Sequence, residues 1–233
     1  IAVGFFIGDD VVASAESNQI FVDYLASEIG MPVKLFSGTS YTAVIEAMRS
    51  GRIDAMSVGP FSHCFAVEKA GAEALAVIVT SEEEPVTYNE NIAPFYFSAI
   101  ISRKGSGIKS LNDLKGRSFA FVDHVSTSGR LFPTAILMDA EIDPEKDIQS
   151  RFAGSHPAAI LAVANGTTEA GACATFGLDR MDEQGTIQIS EVAKKAAWEP
   201  VTQEEIDGQW DSAEEGEVVI IAQSAAIPRT PFA

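Results

Sequence analysis

Apolar and polar positions along the chain repeat with two periods, and the elements follow from them. Residues 1–7 form a short apolar run interrupted by Gly4 and read as a buried strand. Residues 33–36, 53–58 and 75–80 read the same way. Between these runs the period lengthens to that of a helix. Residues 18–28 place Ile20, Phe21, Tyr24 and Leu25, with Ile29 just beyond, on one helical face, and Gly30 ends it. Residues 41–49 group Val44, Ile45 and Met48, with a stop at Ser50-Gly51, and residues 61–70 form a helix after the break at Gly59-Pro60. Strand and helix in alternation predict a parallel sheet with helices on both faces.

A polar, acidic loop over 81–91 precedes a second set of the same kind. Strands are expected at 95–101, 117–122, 149–153 and 170–174, and helices at 110–115, 130–140 and 158–165. Residues 191–217 read as acidic and helical, with Trp198 and Trp210. A late strand over 217–222 and an extended tail over 224–233 follow. No Gly/Pro/Ser-rich linker separates the two sets, so two α/β lobes joined by strands is the economical reading.

Composition narrows the function. Hydrophobic residues make up 46% of the 233, enough for a sizeable core, so wholesale disorder is excluded. The 33 Asp and Glu outnumber the 16 Lys and Arg, and no basic run exists to track a phosphate backbone. Nucleic-acid binding and docking on anionic membranes are disfavoured together. No apolar stretch reaches the roughly 18 residues a spanning helix needs. The chain opens at Ile1 on a strand pattern, and the expectation is a mature or trimmed form whose signal peptide is gone. Cys64 and Cys173 are the only cysteines, without a CxxC or Cys/His cluster, so no metal site is expected and their pairing is left open.

Three segments carry candidate chemistry. In Asp123-His124-Val125-Ser126-Thr127-Ser128-Gly129 a strand ends and three hydroxyl residues open a helix. One Ser or Thr suffices for a helix cap, and three exceed that need. Backbone N–H groups at a helix start, with hydroxyls beside them, suit an oxyanion. Ser37-Gly38-Thr39-Ser40-Tyr41 repeats the strand-loop-helix logic in the first lobe, which points to one ligand held by both lobes. His156, in Gly154-Ser155-His156-Pro157, stands before a helix, where its ring can donate to an anion or simply sit at the surface. GxSxG, HExxH, GxxxxGK and GxGxxG are all missing, so a hydrolase or a nucleotide site finds no support.

These segments resemble a known family. Gly38-Thr39-Ser40-Tyr41, Gly51-Arg52-Ile53-Asp54 and Gly59-Pro60-Phe61-Ser62 are similar to the first lobe of periplasmic phosphate/phosphite/phosphonate-binding proteins of ABC importers. Leu111-Asn112-Asp113-Leu114-Lys115-Gly116, the Asp-x-x-Ser-Thr-Ser-Gly core and Phe152-Ala153-Gly154-Ser155-His156 extend the likeness over nearly the whole chain. The resemblance implies a type II periplasmic-binding fold: two Rossmann-like lobes, a two-strand hinge and a ligand cleft between them. It implies lobe 1 over 1–96 plus 223–233 and lobe 2 over 97–222, with hinge strands near 94–99 and 217–223. The family's closing helices would follow the end of this chain.

The same resemblance implies a substrate-binding component that captures a small phosphorus oxyanion and presents it to an ABC permease. Such a protein is periplasmic or lipid-anchored outside the inner membrane, monomeric, free of cofactors and not an enzyme. A sensory protein signalling to a membrane kinase, or a phosphorus-ester hydrolase, are the alternatives. Tyr41, Tyr96, Ser126, Thr127, Ser128 and His156 would hold the ligand, and Thr39, Ser40, His63 and Phe176 would line the cleft wall. The positions where relatives place carboxylates around an ammonium fall at Gly177 and Thr230, so a ligand without an amino group is expected, with Asp9, Asp10 and Asp179 the acids that could reverse this.

Overall fold

The computed structural model describes residues 1–6, 11–77 and 95–233, and side chains from residue 18 onward in the second of these segments. Asp9 and Asp10 lie outside the described residues, as do residues 78–80 of the fourth expected strand. The chain divides into two compact units, Ile1–Phe95 with Pro228–Ala233, and Tyr96–Ile227.

In the first unit the elements run β1 (Ala2–Phe6), α1 (Val11–Ile29), β2 (Lys34–Gly38), α2 (Tyr41–Arg49), β3 (Ala55–Ser57), α3 (Pro60–Ala70) and β4 (Ala76–Val77). The chain leaves through β5 (Phe95–Tyr96) and returns through β11 (Ile227–Pro228), which pairs with β5, to end in β12 (Pro231–Phe232). β1 lies parallel to β2 and β3, in the order β2-β1-β3-β12-β4. The expected all-parallel sheet is corrected here: β12 comes back from the second unit and inserts antiparallel between β3 and β4. Val44, Ile45, Ala47, Ile53, Met56 and Ala66 form the core beneath this sheet. Gly4 and Gly38 let α2 approach closely, since a Cβ at either would fall 2.5 or 2.3 Å from Ile53 or Val44.

The expected buried face of α1 is also corrected. Ile20 and Tyr24 are exposed, and among the described side chains of α1 Val22 is the one fully removed from water. Phe21, on the expected face, is itself exposed, although its ring still meets Phe5 at 6.0 Å and Phe232 at 5.6 Å.

The second unit has β6 (Ser98–Arg103), a 3₁₀ turn (Leu111–Leu114), β7 (Ser118–Phe121), a widened π-type turn (Thr127–Leu131), α4 (Phe132–Asp139), β8 (Gln149–Phe152), α5 (His156–Ala164) and β9 (Ala170–Ala174). α6 (Thr175–Glu183), α7 (Glu191–Ala196), α8 (Gln203–Ser212) and β10 (Val218–Gln223) follow. The order is β10-β6-β9-β7-β8, with β7 parallel to β8 and β9 and with β6 antiparallel to β9 and β10. This sheet too is mixed, because β6 and β10 run as an antiparallel pair. The acidic stretch expected as one helix is two, separated by a segment that holds Pro200, which has no N–H for a helical bond. Ile101, Ile160, Leu178 and Ile220 anchor one face of the sheet, and Phe119, Phe121, Leu137 and Ile142 the other. Cys64 is exposed, Cys173 is buried, and both are free thiols.

Candidate functional site

The second unit builds its hydroxyl-rich turn at the end of β7. The Val122 N–H donates to the Gly129 carbonyl at 3.0 Å, folding the turn back on the strand. Ser126 caps it, its Oγ accepting the Gly129 N–H at 3.0 Å. The Leu131 and Phe132 N–H groups then reach carbonyls five residues back, at Ser126 and Thr127, so the turn is wider than an α-helix and runs straight into α4. Only glycine fits at position 129, since a Cβ there would lie 2.3 Å from the Val122 side chain. Ser98 on β6 fixes the far side by donating its hydroxyl to the Ser128 carbonyl at 2.7 Å. Ser126, Thr127 and Ser128 are 1%, 3% and 2% exposed. Hydroxyls and leading N–H groups together at the head of a helix are a chemistry that suits an oxyanion.

His156 opens α5 beside Ser155, whose Oγ accepts the Ala158 N–H at 3.2 Å as an ordinary cap. The His156 Nδ1 accepts the Ala174 N–H at 3.0 Å. A nitrogen that accepts bears no proton, so Nε2 carries the hydrogen and the ring is a neutral donor. Burial pushes its pKa down to about 4, which keeps it neutral through the physiological range.

Ala174 ends β9, and in the sheet register it faces Ser98. One pair of strand ends therefore ties down both donors, the turn through Ser98 and the imidazole through Ala174. Tyr96 packs on Ala174, Ile227 and Phe132, and the Phe176 ring lies 5.7 Å from the Tyr96 ring. Of the residues expected from sequence, Ser126, Thr127, Ser128, His156, Tyr96 and Phe176 gather at this end of the second sheet. The Arg130 cation beside the turn is engaged elsewhere, over the Phe121 ring at 4.3 Å and with Glu145 at 2.7 Å. The His124 ring stacks on Phe152 at 3.7 Å.

The first unit is arranged differently. Ser40 caps α2 through a hydrogen bond from the Ala43 N–H at 3.1 Å. Thr39 is exposed, Tyr41 is half-buried with its ring 4.3 Å from that of Phe6, and His63 is half-buried on α3 with no partner for Nδ1.

Two parts of the arrangement had little sequence signal. Ser98 reads as a strand residue and nothing marks it as the brace of a turn 30 positions away. Asp179, expected as a candidate partner for an ammonium, accepts the Trp198 Nε1–H at 2.9 Å. α6 carries three acids, Asp179, Asp182 and Glu183, and nothing in the sequence singles out Asp179 as the partner of Trp198.

Residues 4–233 match the family described as the periplasmic substrate-binding protein of the phosphonate ABC transporter. A curated relative, the phosphate-import protein PhnD of Mycolicibacterium smegmatis, is 31% identical over 175 residues, 71% of this chain and 51% of its own length. The chain thus spans about half the length of that relative. Among solved structures, the binding-protein component of an ABC phosphonate transporter from Pseudomonas aeruginosa superposes with a TM-score of 0.76 at 25% identity, over the whole chain and 67% of its own. PhnD1 of Prochlorococcus marinus in complex with methylphosphonate gives 0.74 at 18% identity, over the whole chain and 75% of its own, a likeness of fold.

Proposed function

The chain belongs to the family of periplasmic substrate-binding proteins of phosphonate ABC transporters, and on that premise we propose that it captures a small phosphorus oxyanion and delivers it to an ABC permease outside the inner membrane. The observation that carries the reading is the buried Ser126-Thr127-Ser128 turn at the head of α4. Its hydroxyls and leading N–H groups take the phosphorus oxygens. The Nε2–H of His156 adds a neutral donor, and Tyr96 and Phe176 close the apolar side. Tyr41 is the residue of the first unit proposed to reach the same ligand, with Thr39, Ser40 and His63 only as wall. The protein works as a monomer, without a cofactor and without turnover of its ligand.

Neutral donors suffice for this task. A hydrogen bond to a charged acceptor contributes about 1.5–3 kcal/mol. Micromolar binding needs about 8 kcal/mol, so four or five such bonds reach it with the closing apolar contacts. A chain at −17 repels anions at long range, but salt confines that repulsion to about 8–10 Å.

The ligand carries no ammonium. Gly177 offers no carboxylate, and Asp179 already serves Trp198. A buried ammonium without a partner is costly. Titration calorimetry with phosphite, methylphosphonate, phosphate and 2-aminoethylphosphonate tests the reading. Micromolar or tighter binding is expected for at least one of the first three, with 2-aminoethylphosphonate weaker. Absence of binding to all four would overturn the function, and a tighter 2-aminoethylphosphonate complex would overturn the specificity.

A further inference from the structure

A cavity lies at the other end of β6 from the hydroxyl-rich turn. It encloses about 180 Å³ and is lined by Arg103, Ser106, Val163, Gly166, Thr168 and Glu169. Arg103 ends β6 five residues beyond Ser98, which at about 3.3 Å per residue places it roughly 16 Å along the strand from the hydroxyl-rich turn. The Thr168 hydroxyl is buried, its residue 1% exposed, and has no hydrogen-bond partner. The Arg103 Nε is buried and equally unpartnered. Ser106 Oγ accepts the Ile108 N–H, which leaves its own hydrogen to donate.

Acids outnumber bases two to one, yet among the described residues no carboxylate stands within ion-pair distance of Arg103. Glu169, the one acid in the lining, is bound by Arg117 at 2.7 Å and by the Ser118 N–H at 3.0 Å. Arg103, Arg117 and Glu169 together leave one positive charge. Gly166 keeps room for the guanidinium, since a Cβ there would lie 3.1 Å from the Arg103 Nη2. Unpaired buried donors are costly, and a planar guanidinium beside two hydroxyls matches a carboxylate. Val163 supplies an apolar wall for a short tail.

We propose that this cavity is a binding site for a short-chain monocarboxylate, separate from the phosphorus-oxyanion site. The carboxylate lies against Arg103, with Thr168 and Ser106 donating to its oxygens and its methyl group against Val163. The volume, enough for several waters, admits acetate.

The test is a ¹⁵N–¹H NMR titration of the intact chain with sodium acetate against sodium chloride at equal ionic strength. Saturable shifts confined to the amides of residues 103–106 and 166–169 are expected with acetate and not with chloride. Thr168→Val, which keeps the shape, and Arg103→Gln each weaken acetate at least tenfold, while methylphosphonate affinity by calorimetry stays within twofold. Formate, lacking the methyl group, binds more weakly than acetate. Shifts that fail to saturate, that chloride reproduces, or that persist in Thr168→Val overturn the proposal and mark the cavity as merely hydrated. Such a failure leaves the methylphosphonate titration untouched, so the two readings fall separately.

Discussion

The two units open a helix with the same kind of segment and reach different local structures. In the first, Ser40 is a plain cap, Thr39 faces solvent and Tyr41 leans on Phe6. In the second, three hydroxyl residues are almost wholly buried in a turn one residue wider per bond, clamped by Ser98 and made possible by Gly129. A single capping hydroxyl is exposed at little cost. Three buried ones exceed what a cap requires, since one bond from Ser126 already completes it, and the surplus is what the proposed oxyanion role would use.

The strongest way to break this comparison is to remove the surplus hydroxyls. Thr127→Ala with Ser128→Ala is expected to weaken phosphite or methylphosphonate at least tenfold by calorimetry, since each lost bond to a charged acceptor counts for about 1.5–3 kcal/mol. The melting temperature should barely move, because the Ser126 cap is intact. Normal affinity in the double variant would reduce the second turn to the status of the first.

A smaller effect is expected on acidification. The folded-state pKa of His156 lies near 4, below its ordinary value of about 6.5. The unfolded chain therefore binds a proton that the folded chain refuses. The stability held above pH 6.5 is lost as pH falls through 4, by about 1–3 kcal/mol. Chemical denaturation at pH 7 and pH 4.5 reads this loss, and His156→Gln should flatten it. An unchanged slope in that variant would assign the acid sensitivity to other groups.

The smallest expected effect is in the first unit. Ser40→Ala removes the bond from the Ala43 N–H and should cost about 1 kcal/mol of stability, with ligand affinity changed less than threefold. A tenfold loss would show that Ser40 binds ligand as well as capping α2, and would erase the contrast between the units.

Legibility followed the range of the forces involved. α2 and β9 lie at the residues their patterns indicate, because a cap, a stop and a run of small apolar residues are local signals. The Ser-Thr-Ser turn was visible for the same reason. The insertion of β12 between β3 and β4 was not, because two residues of strand carry no period and their place is chosen by the rest of the sheet. α6 was missed because β9 runs into it without a breaker. α1 buries Val22 rather than Ile20 and Tyr24, because which side of a helix meets a sheet is chosen by partners distant in sequence.

Ser98 has a further consequence. Its hydroxyl holds the Ser128 carbonyl, its N–H is held by the Ser224 Oγ at 2.9 Å, and its carbonyl accepts the Ser224 N–H at 2.9 Å. One residue thus links the Ser126-Thr127-Ser128 turn to Ser224, just past the end of β10. Solvent deuterium reaches the Ser98 amide when its bond to Ser224 Oγ opens. Under the proposed function, its exchange should slow when the turn is filled and quicken when it empties.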